Sequence, residues 1–329
     1  MSTKKEAYLC LSAMLRAREP KLLNADKAQR MLDAASFAEA AKQLVDCGYE
    51  DMSQLDANGV NAALNDHRNA ILHELQGLVP EEGLLELFQL KYDYHNAKTI
   101  IKSEAMGQDA ERLLSASGRM APDALLSAYN EERYTGMPGM MGEAMADAKG
   151  ILARTNNPQL ADSRLDKAYF AELTELANKM DNAFLTEYVR LMIDSTNLKI
   201  AVRTLRMGRT MDSIRDVLIN GGTDVSRIAA AGDGESLIAL FAHSKLEKAA
   251  SLGAEAISGG SLTPFELECD NAVTAQLKSA KLMSYGPESV VAYVAAVENE
   301  ITAVRMILNG FLDGIDSART KERLRDTYA

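Results

Sequence analysis

The feature that most constrains this chain is an internal repeat. Three similar stretches, DYHNAKTIIKSEAMG, DSTNLKIAVRTLRMG and EITAVRMILNGFLDG, occur in the sequence. One register without gaps aligns an acid, a base and a glycine in all three: Asp93, Asp194 and Glu300; Lys98, Lys199 and Arg305; Gly107, Gly208 and Gly314. Helical repeats of about 100 residues predict a scaffold built of similar units, and they argue against a single catalytic pocket.

The composition and the spacing of apolar residues predict an all-α fold. Prolines number only 7 in 329 residues, and the abundant Ala, Leu, Met, Glu, Lys and Arg favour helices. Apolar residues recur at helical spacing from Leu84 to Ile101, and Gly107 supplies a stop, so each repeat carries one long helix. Glycine-rich punctuation between the copies predicts three helical units: 1–118, 119–220 and 221–329.

Charge and apolar runs narrow the choice of partner. The net charge of −11 disfavours nucleic acid and anionic lipid, which both attract basic surfaces, and it suits a basic protein surface. The longest apolar run, Ser289 to Val297, is shorter than the roughly 20 residues that a membrane-spanning helix needs. The N-terminal stretch lacks the apolar core of a signal peptide. The sequence therefore predicts a protein that approaches a membrane only from the water side.

The familiar motifs of catalysis and cofactor binding are missing from the sequence. His67 and His73 are too far apart for the two histidines of a metalloprotease helix, and they point to different faces. The glycines form neither a GxxxxGK[ST] loop nor a GxGxxG turn, and no Gly-x-Ser-x-Gly elbow occurs. We expect no catalytic residue, no metal, no cofactor and no nucleotide site.

The repeated polar residues are the best candidate for a functional site. Asp93 and Asn96 share one helix face, whereas Lys98 lies about 140° away, so acid and base cannot pair within a helix. The simpler interpretation is bonding between helices that gives the units one shape, and the alternative is contact with a partner protein. The third copy has Ala303 where the others have asparagine. The candidate partner-binding residues are Asp93, Asn96, Lys98, Asp194, Asn197, Lys199, Glu300 and Arg305.

Three segments also carry a resemblance to a known family: YDYHNAKTIIK (92–102), YVRLMIDSTNLKIAVRTLRMG (188–208) and GPESVVAYVAAVENEITAVRMILNGFLDGIDSARTKERLRDTY (286–328). Together with AYLCLSAMLRAREPKLL near the start, they resemble the C subunit of the prokaryotic V-type (archaeal-type) rotary ATPases. That protein is the counterpart of the d subunit in the eukaryotic vacuolar proton pump. The resemblance covers nearly the whole chain, although 109–165 and 209–262 match only in general character.

The resemblance implies an architecture and a role. The architecture is a funnel of three similar helical repeats around a pseudo-threefold axis, with a central cavity. The role is that of a non-catalytic rotor component, peripheral on the cytoplasmic side of the membrane. Such a protein couples the central stalk to the membrane rotor ring, touches the membrane only through that ring, and transmits torque for H⁺ or Na⁺ transport. The alternative is a free-standing soluble helical scaffold that binds a protein in its concave face.

Overall fold

A computed structural model of the protein describes residues 5–329, and all regular secondary structure in this range is helical. The predicted all-α class is confirmed. The residues form two compact units, one containing the described chain up to Leu85 together with Ser261–Ala329 and the other Glu86–Gly260. The threefold division at 118 and 220 stays a prediction.

The α-helices within the described range are numbered here in chain order. They are α1 (Leu9–Arg18), α2 (Ala25–Leu32), α3 (Phe37–Lys42), α4 (Ala57–Gln76), α5 (Glu86–Met106), α6 (Pro122–Asn130), α7 (Met141–Thr155), α8 (Pro158–Lys179), α9 (Ala183–Arg206), α10 (Val225–Ala229), α11 (Gly234–Phe241), α12 (Glu247–Ile257), α13 (Leu262–Lys278), α14 (Pro287–Leu312) and α15 (Ser317–Lys321). Short 3-10 helices lie at Glu19–Lys21, Val45–Cys47, Glu111–Leu113, Met211–Ile214 and Ser279–Leu282.

Helix α8 is central to the unit Glu86–Gly260. It packs against α5, α7 and α9, and α12 packs against α9. Helices α5 and α8 are antiparallel, since Lys98 pairs with Asp166 and Lys102, one turn further along α5, pairs with Asp162, one turn earlier on α8. Leu165 of α8 is fully buried. Two of the three long helices of the repeat therefore lie in one unit.

Helix α14 forms the core of the other unit. Every residue from Pro287 to Glu298 is buried, and α14 packs against α1, α3, α4 and α13. The run Ser289–Val297 therefore forms the buried centre of a helical unit, and this burial explains why the run is apolar. Across residues 5–329, no helix is both long enough and apolar enough to cross a membrane.

The three long helices end in the same way. Gly107, Gly208 and Gly314 all have a left-handed backbone, with φ of 63°, 65° and 66°. In each case the glycine N–H and the N–H that follows it bond back to carbonyls of the last turn, for example Gly208 to Leu205 at 2.9 Å and Arg209 to Thr204 at 3.2 Å. This is the Schellman arrangement, in which glycine avoids the Cβ strain of a left-handed residue. The repeated glycine is therefore a repeated helix stop.

Replacing Gly208 by alanine is expected to lower the free energy of unfolding by about 1–2 kcal/mol, because only the left-handed φ opposes the new methyl group. Nothing lies within 4 Å of the added Cβ. Urea unfolding of the full chain measures the change. Gly232→Ala is the matched control, since it too has nothing within 4 Å and its φ is not left-handed. Equal losses in the two variants would contradict the assignment.

Candidate functional site

The acid of the first copy, Asp93, is at the centre of a buried ion cluster. Its side chain is fully buried on α5, where its Oδ1 accepts the backbone N–H of Arg119 at 2.9 Å. Its Oδ2 accepts Arg119 Nε at 2.7 Å. The other end of this guanidinium donates to Glu172 at 2.7 Å and to Glu86 at 3.3 Å. Tyr94 donates to the second oxygen of Glu172 at 3.0 Å. One arginine thus ties α5, α8 and the loop before α6 together.

Burial and ion pairing shift the pKa values of this cluster in opposite directions. Burial raises the pKa of Asp93 above its ordinary value, although hydrogen bonds and the charge of Arg119 oppose the rise. Burial alone would lower the pKa of Arg119, but hydrogen bonds to Glu172 and Asp93 hold it above its ordinary value. Arg119 therefore stays charged, and the two acids depend on it because an unpaired buried carboxylate is strongly disfavoured.

The acid of the second copy, Asp194, has a similar backbone partner and a different charged neighbour. It is buried on α9, and its Oδ1 accepts the backbone N–H of Thr223 at 2.5 Å. Its ion-pair partner is Arg190 of the same helix, whose Nε is 4.0 Å from Oδ2 and whose side chain is 57% exposed. Burial raises the pKa of Asp194. The second acid is therefore held by the backbone with only weak support from a cation.

The loops that cap these two acids approach them very closely. A Cβ added to Gly118 would lie 2.3 Å from Asp93 Oδ1, and one added to Gly222 would lie 2.2 Å from Asp194 Oδ1. Both distances are well inside van der Waals contact. Glycine is therefore required immediately before the residue whose N–H reaches the acid.

The repeated asparagines bind the same two loops. Asn96 donates to the carbonyl of Ser115 at 2.8 Å and accepts its N–H at 2.7 Å. Asn197 makes the same pair of bonds to Ile219, at 2.8 and 2.9 Å. Because one amide satisfies both backbone groups of a loop residue, each long helix fixes its loop at a second point.

The acid of the third copy, Glu300, finds its partners at the other end of the chain. It is buried on α14 and accepts the backbone N–H of Leu23 and, at 2.7 Å, the hydroxyl of Tyr49. Ala303 stands where the other copies have asparagine and lines a small cavity beside Leu23. The segment that caps the third acid therefore precedes it in the sequence, whereas the other two follow their acids.

The repeated bases lie half-buried on the same three helices. Lys98 forms an ion pair with Asp166 of α8. Arg305 donates to Asn61 of α4 at 2.8 Å. Lys199 lies at the corresponding position of α9. As the sequence predicts, acid and base do not pair with each other in the first and third copies, and each base there reaches another helix.

The structure thus places the five acids and amides of the candidate set in buried positions with internal hydrogen bonds. These bonds match the simpler interpretation, in which the repeated residues hold each unit in shape. Contact of the eight candidate residues with a partner stays a prediction. Sequence reasoning missed Arg119 as the partner of Asp93, although the glycine before it marked the loop. Within residues 5–329 no group of His, Cys, Asp and Glu side chains could hold a metal ion.

The burial of Glu300 leads to a pH-dependent prediction. Burial raises its pKa above the ordinary glutamate value of 4.5, against the hydrogen bonds from Leu23 and Tyr49. The folded chain then binds more protons than the unfolded chain just above pH 4.5, so this group's contribution to stability falls as pH rises through that window. A tenfold difference in proton affinity between the two states corresponds to about 1.4 kcal/mol.

Glutamine does not ionise. We therefore expect Glu300→Gln to lower the free energy of unfolding more near pH 4.5 than at pH 7. Urea midpoints of both proteins across this range give the difference. Glu322→Gln serves as the control, because Glu322 is an exposed carboxylate in the same unit. A penalty for Glu300→Gln that grows towards pH 7 would contradict the raised pKa.

Exposed apolar side chains occur at the ends of the long helices. Met106 and Met207, each directly before a terminating glycine, are 64% and 60% exposed. Leu312 and Ile315 flank the end of α14 and are 39% and 47% exposed. Met106 and Met207 correspond in the repeat register, where the third copy has Asp313. Large exposed apolar groups of this kind are typical of surfaces that meet another protein.

Comparison with known proteins matches the sequence of this chain to one family. The model of the ATP synthase (C/AC39) subunit family matches residues 11–323. The C subunit of the V-type sodium ATPase of Enterococcus hirae is 22% identical over 329 residues, covering 98% of this chain and 99% of that relative. The C subunit of the A-type ATP synthase of Methanococcoides burtonii is 25% identical, covering 96% and 94%. Its counterpart in the V-type ATP synthase of Thermus thermophilus is 25% identical over 228 residues, 67% of this chain and 69% of the relative.

Proposed function

The chain belongs to the ATP synthase (C/AC39) subunit family, and from this premise we propose that it is a central-rotor socket of a V-type rotary ATPase. In this role it receives the central stalk, sits on the membrane rotor ring from the cytoplasmic side, and passes torque that drives H⁺ or Na⁺ transport. It catalyses no step itself. The observation that carries the proposal is the family match from residue 11 to residue 323, which leaves little of the chain for another function.

The proposed shape is three similar helical repeats around a pseudo-threefold axis, with a central cavity. The similar C-terminal ends of α5, α9 and α14 support this shape, because all three helices stop at a left-handed glycine. The buried acid of each helix supports it too, since all three accept the backbone N–H of a capping segment. A rotor part has to resist twisting, and helices fixed to their loops at buried points suit that requirement.

The proposed partner contacts are the apolar helix ends. Met106 and Met207 insert into apolar surfaces of the ring or stalk in this proposal, since their flexible side chains adapt to irregular shapes. The acidic chain, with net charge −11, would be attracted to basic loops on the cytoplasmic side of such a ring.

The test is affinity purification of the tagged chain from detergent-solubilised membranes of its own host, with mass spectrometry of the proteins recovered. Recovery of a small hydrophobic ring protein with stalk and nucleotide-binding subunits is the expected result. Recovery of the chain alone from the soluble fraction would overturn the rotor role and favour the free-standing scaffold.

A pair of variants then tests the helix ends. Replacing Met106 and Met207 by serine is expected to reduce recovery of ring or stalk proteins several-fold. Leu282→Ser is the control, because Leu282 is 90% exposed in the short 3-10 helix Ser279–Leu282 and does not end a long helix of the repeat. Equal recovery with the double variant and the control would rule out the methionines as contacts.

A further inference from the structure

A cleft of about 320 Å³ opens beside α9, at the acid of the second copy. We call it the α9 cleft. Its charged and polar lining consists of Glu187, Arg190, Asp194, Thr223, His243, Ser244 and Lys245. One water occupies about 30 Å³ in the liquid, so the cleft has room for a long side chain and several waters.

The first copy shows what fills the corresponding space there. In the sequence register, Glu187 and Asp194 correspond to Glu86 and Asp93. The latter two acids both bind the side chain of Arg119, at 3.3 Å and 2.7 Å. Acids at the same positions of α5 and α9 thus face a guanidinium in one copy and a cleft in the other.

The residue that corresponds to Arg119 is Thr223. Its backbone N–H donates to Asp194, as the N–H of Arg119 donates to Asp93. Each of the two follows a glycine that touches its acid, Gly222 and Gly118. Because the backbones match, the shorter threonine side chain leaves open the volume that arginine occupies in the first copy.

The ion pairs already present in the cleft are exposed or long. Lys245 pairs with Glu187 at 3.1 Å, but the two side chains are 46% and 42% exposed. Arg190 is 57% exposed and lies 4.0 Å from Asp194 Oδ2. Exposed or long pairs of this kind contribute little, so an incoming guanidinium can compete with them for Glu187 and Asp194. Asp194, with 12% of its side chain exposed, cannot leave the cleft.

We propose that the α9 cleft binds an arginine side chain of a partner protein, which takes the place at Asp194 and Glu187 that Arg119 takes at Asp93 and Glu86. A guanidinium fits better than an ammonium, because Arg119 uses Nε for Asp93 and Nη1 for Glu86, and a planar fork reproduces that geometry. The inference does not rest on the rotor role, since it concerns only side chains within Glu86–Gly260 and the chemistry of their ligand.

The experiment uses the full chain and a small probe. N-acetyl-arginine amide is titrated into the ¹⁵N-labelled protein while the amide signal of Thr223 is followed by NMR, with N-acetyl-citrulline amide as the uncharged probe of the same shape. Saturable millimolar binding of the arginine probe, at least tenfold tighter than that of the citrulline probe, is expected. No shift at Thr223, or equal shifts with both probes, would overturn the proposal.

Two variants complete the test. Thr223→Arg supplies the missing side chain from within, so it is expected to raise the melting temperature and to abolish probe binding. Asp194→Asn is expected to weaken the arginine probe at least tenfold, whereas Asp212→Asn, at a side chain 85% exposed, leaves it unchanged. Should Asp194→Asn fail to fold, Thr223→Arg alone decides. Undiminished binding by the Thr223→Arg protein would overturn the proposal.

Discussion

Replacing Arg119 by leucine is expected to lower the free energy of unfolding by about 3–5 kcal/mol, the typical loss when one partner of a buried ion pair is removed. The change leaves the carboxylates of Asp93 and Glu172 buried without their shared cation, and each is almost inaccessible to water. Urea unfolding of the full chain, followed by far-UV circular dichroism, measures the loss.

The second copy supplies the control for this substitution. Arg190 also neighbours a repeated acid, but it is 57% exposed and 4.0 Å away. Arg190→Leu should therefore change the free energy of unfolding by less than about 1 kcal/mol. If the two leucine variants lost equal free energy of unfolding, burial of the Arg119 cluster would not explain the loss in Arg119→Leu.

Replacing Asn197 by alanine is expected to be the other severe change. It leaves the N–H and the carbonyl of Ile219 without the amide that satisfies both, in a buried position. A buried polar group that loses its hydrogen-bond partner costs about 1–3 kcal/mol. Here both the N–H and the carbonyl of Ile219 lose theirs. Hydrogen exchange at the Ile219 amide, together with urea unfolding, gives a local and a global measure.

Thr196 is the matched control on the same helix. Its hydroxyl donates only to the carbonyl of Met192, one turn earlier in α9, at 2.8 Å. Thr196→Ala should therefore leave the Ile219 amide protected and change stability only slightly. Faster exchange of that amide in both variants would indicate a general loosening of α9 and not a lost asparagine bridge.

The sequence predicted the long helices well because their signals are local. Apolar periodicity from Leu84 and a stop at Gly107 give a helix close to the observed Glu86–Met106. The same register correctly aligned Gly107, Gly208 and Gly314, since a left-handed helix end depends on a single residue. Signals confined to one helix turn can be read without knowing what packs against the helix.

The partners of the repeated acids could not be predicted, because they lie outside the repeated register. Arg119 and Thr223 follow their acids at different distances along the chain. Leu23 precedes Glu300 by 277 residues, most of the length of the chain. From the sequence, an acid beside an amide on one helix face favours an internal bond but leaves a partner contact open. The burial of Asp93, Asn96 and Asn197 agrees with the internal bond.

The discontinuous unit has a consequence for the order in which the protein matures. Leu23 and Tyr49 leave the ribosome long before Glu300, to which both bind. At about 5–20 residues per second, the intervening segment takes on the order of 10–60 s to translate. During that delay α1–α4 lack the buried helix on which they pack, whereas Glu86–Gly260 is one continuous segment. Helices α1–α4 are therefore synthesised before the continuous unit, but their packing partner α14 is synthesised only after it.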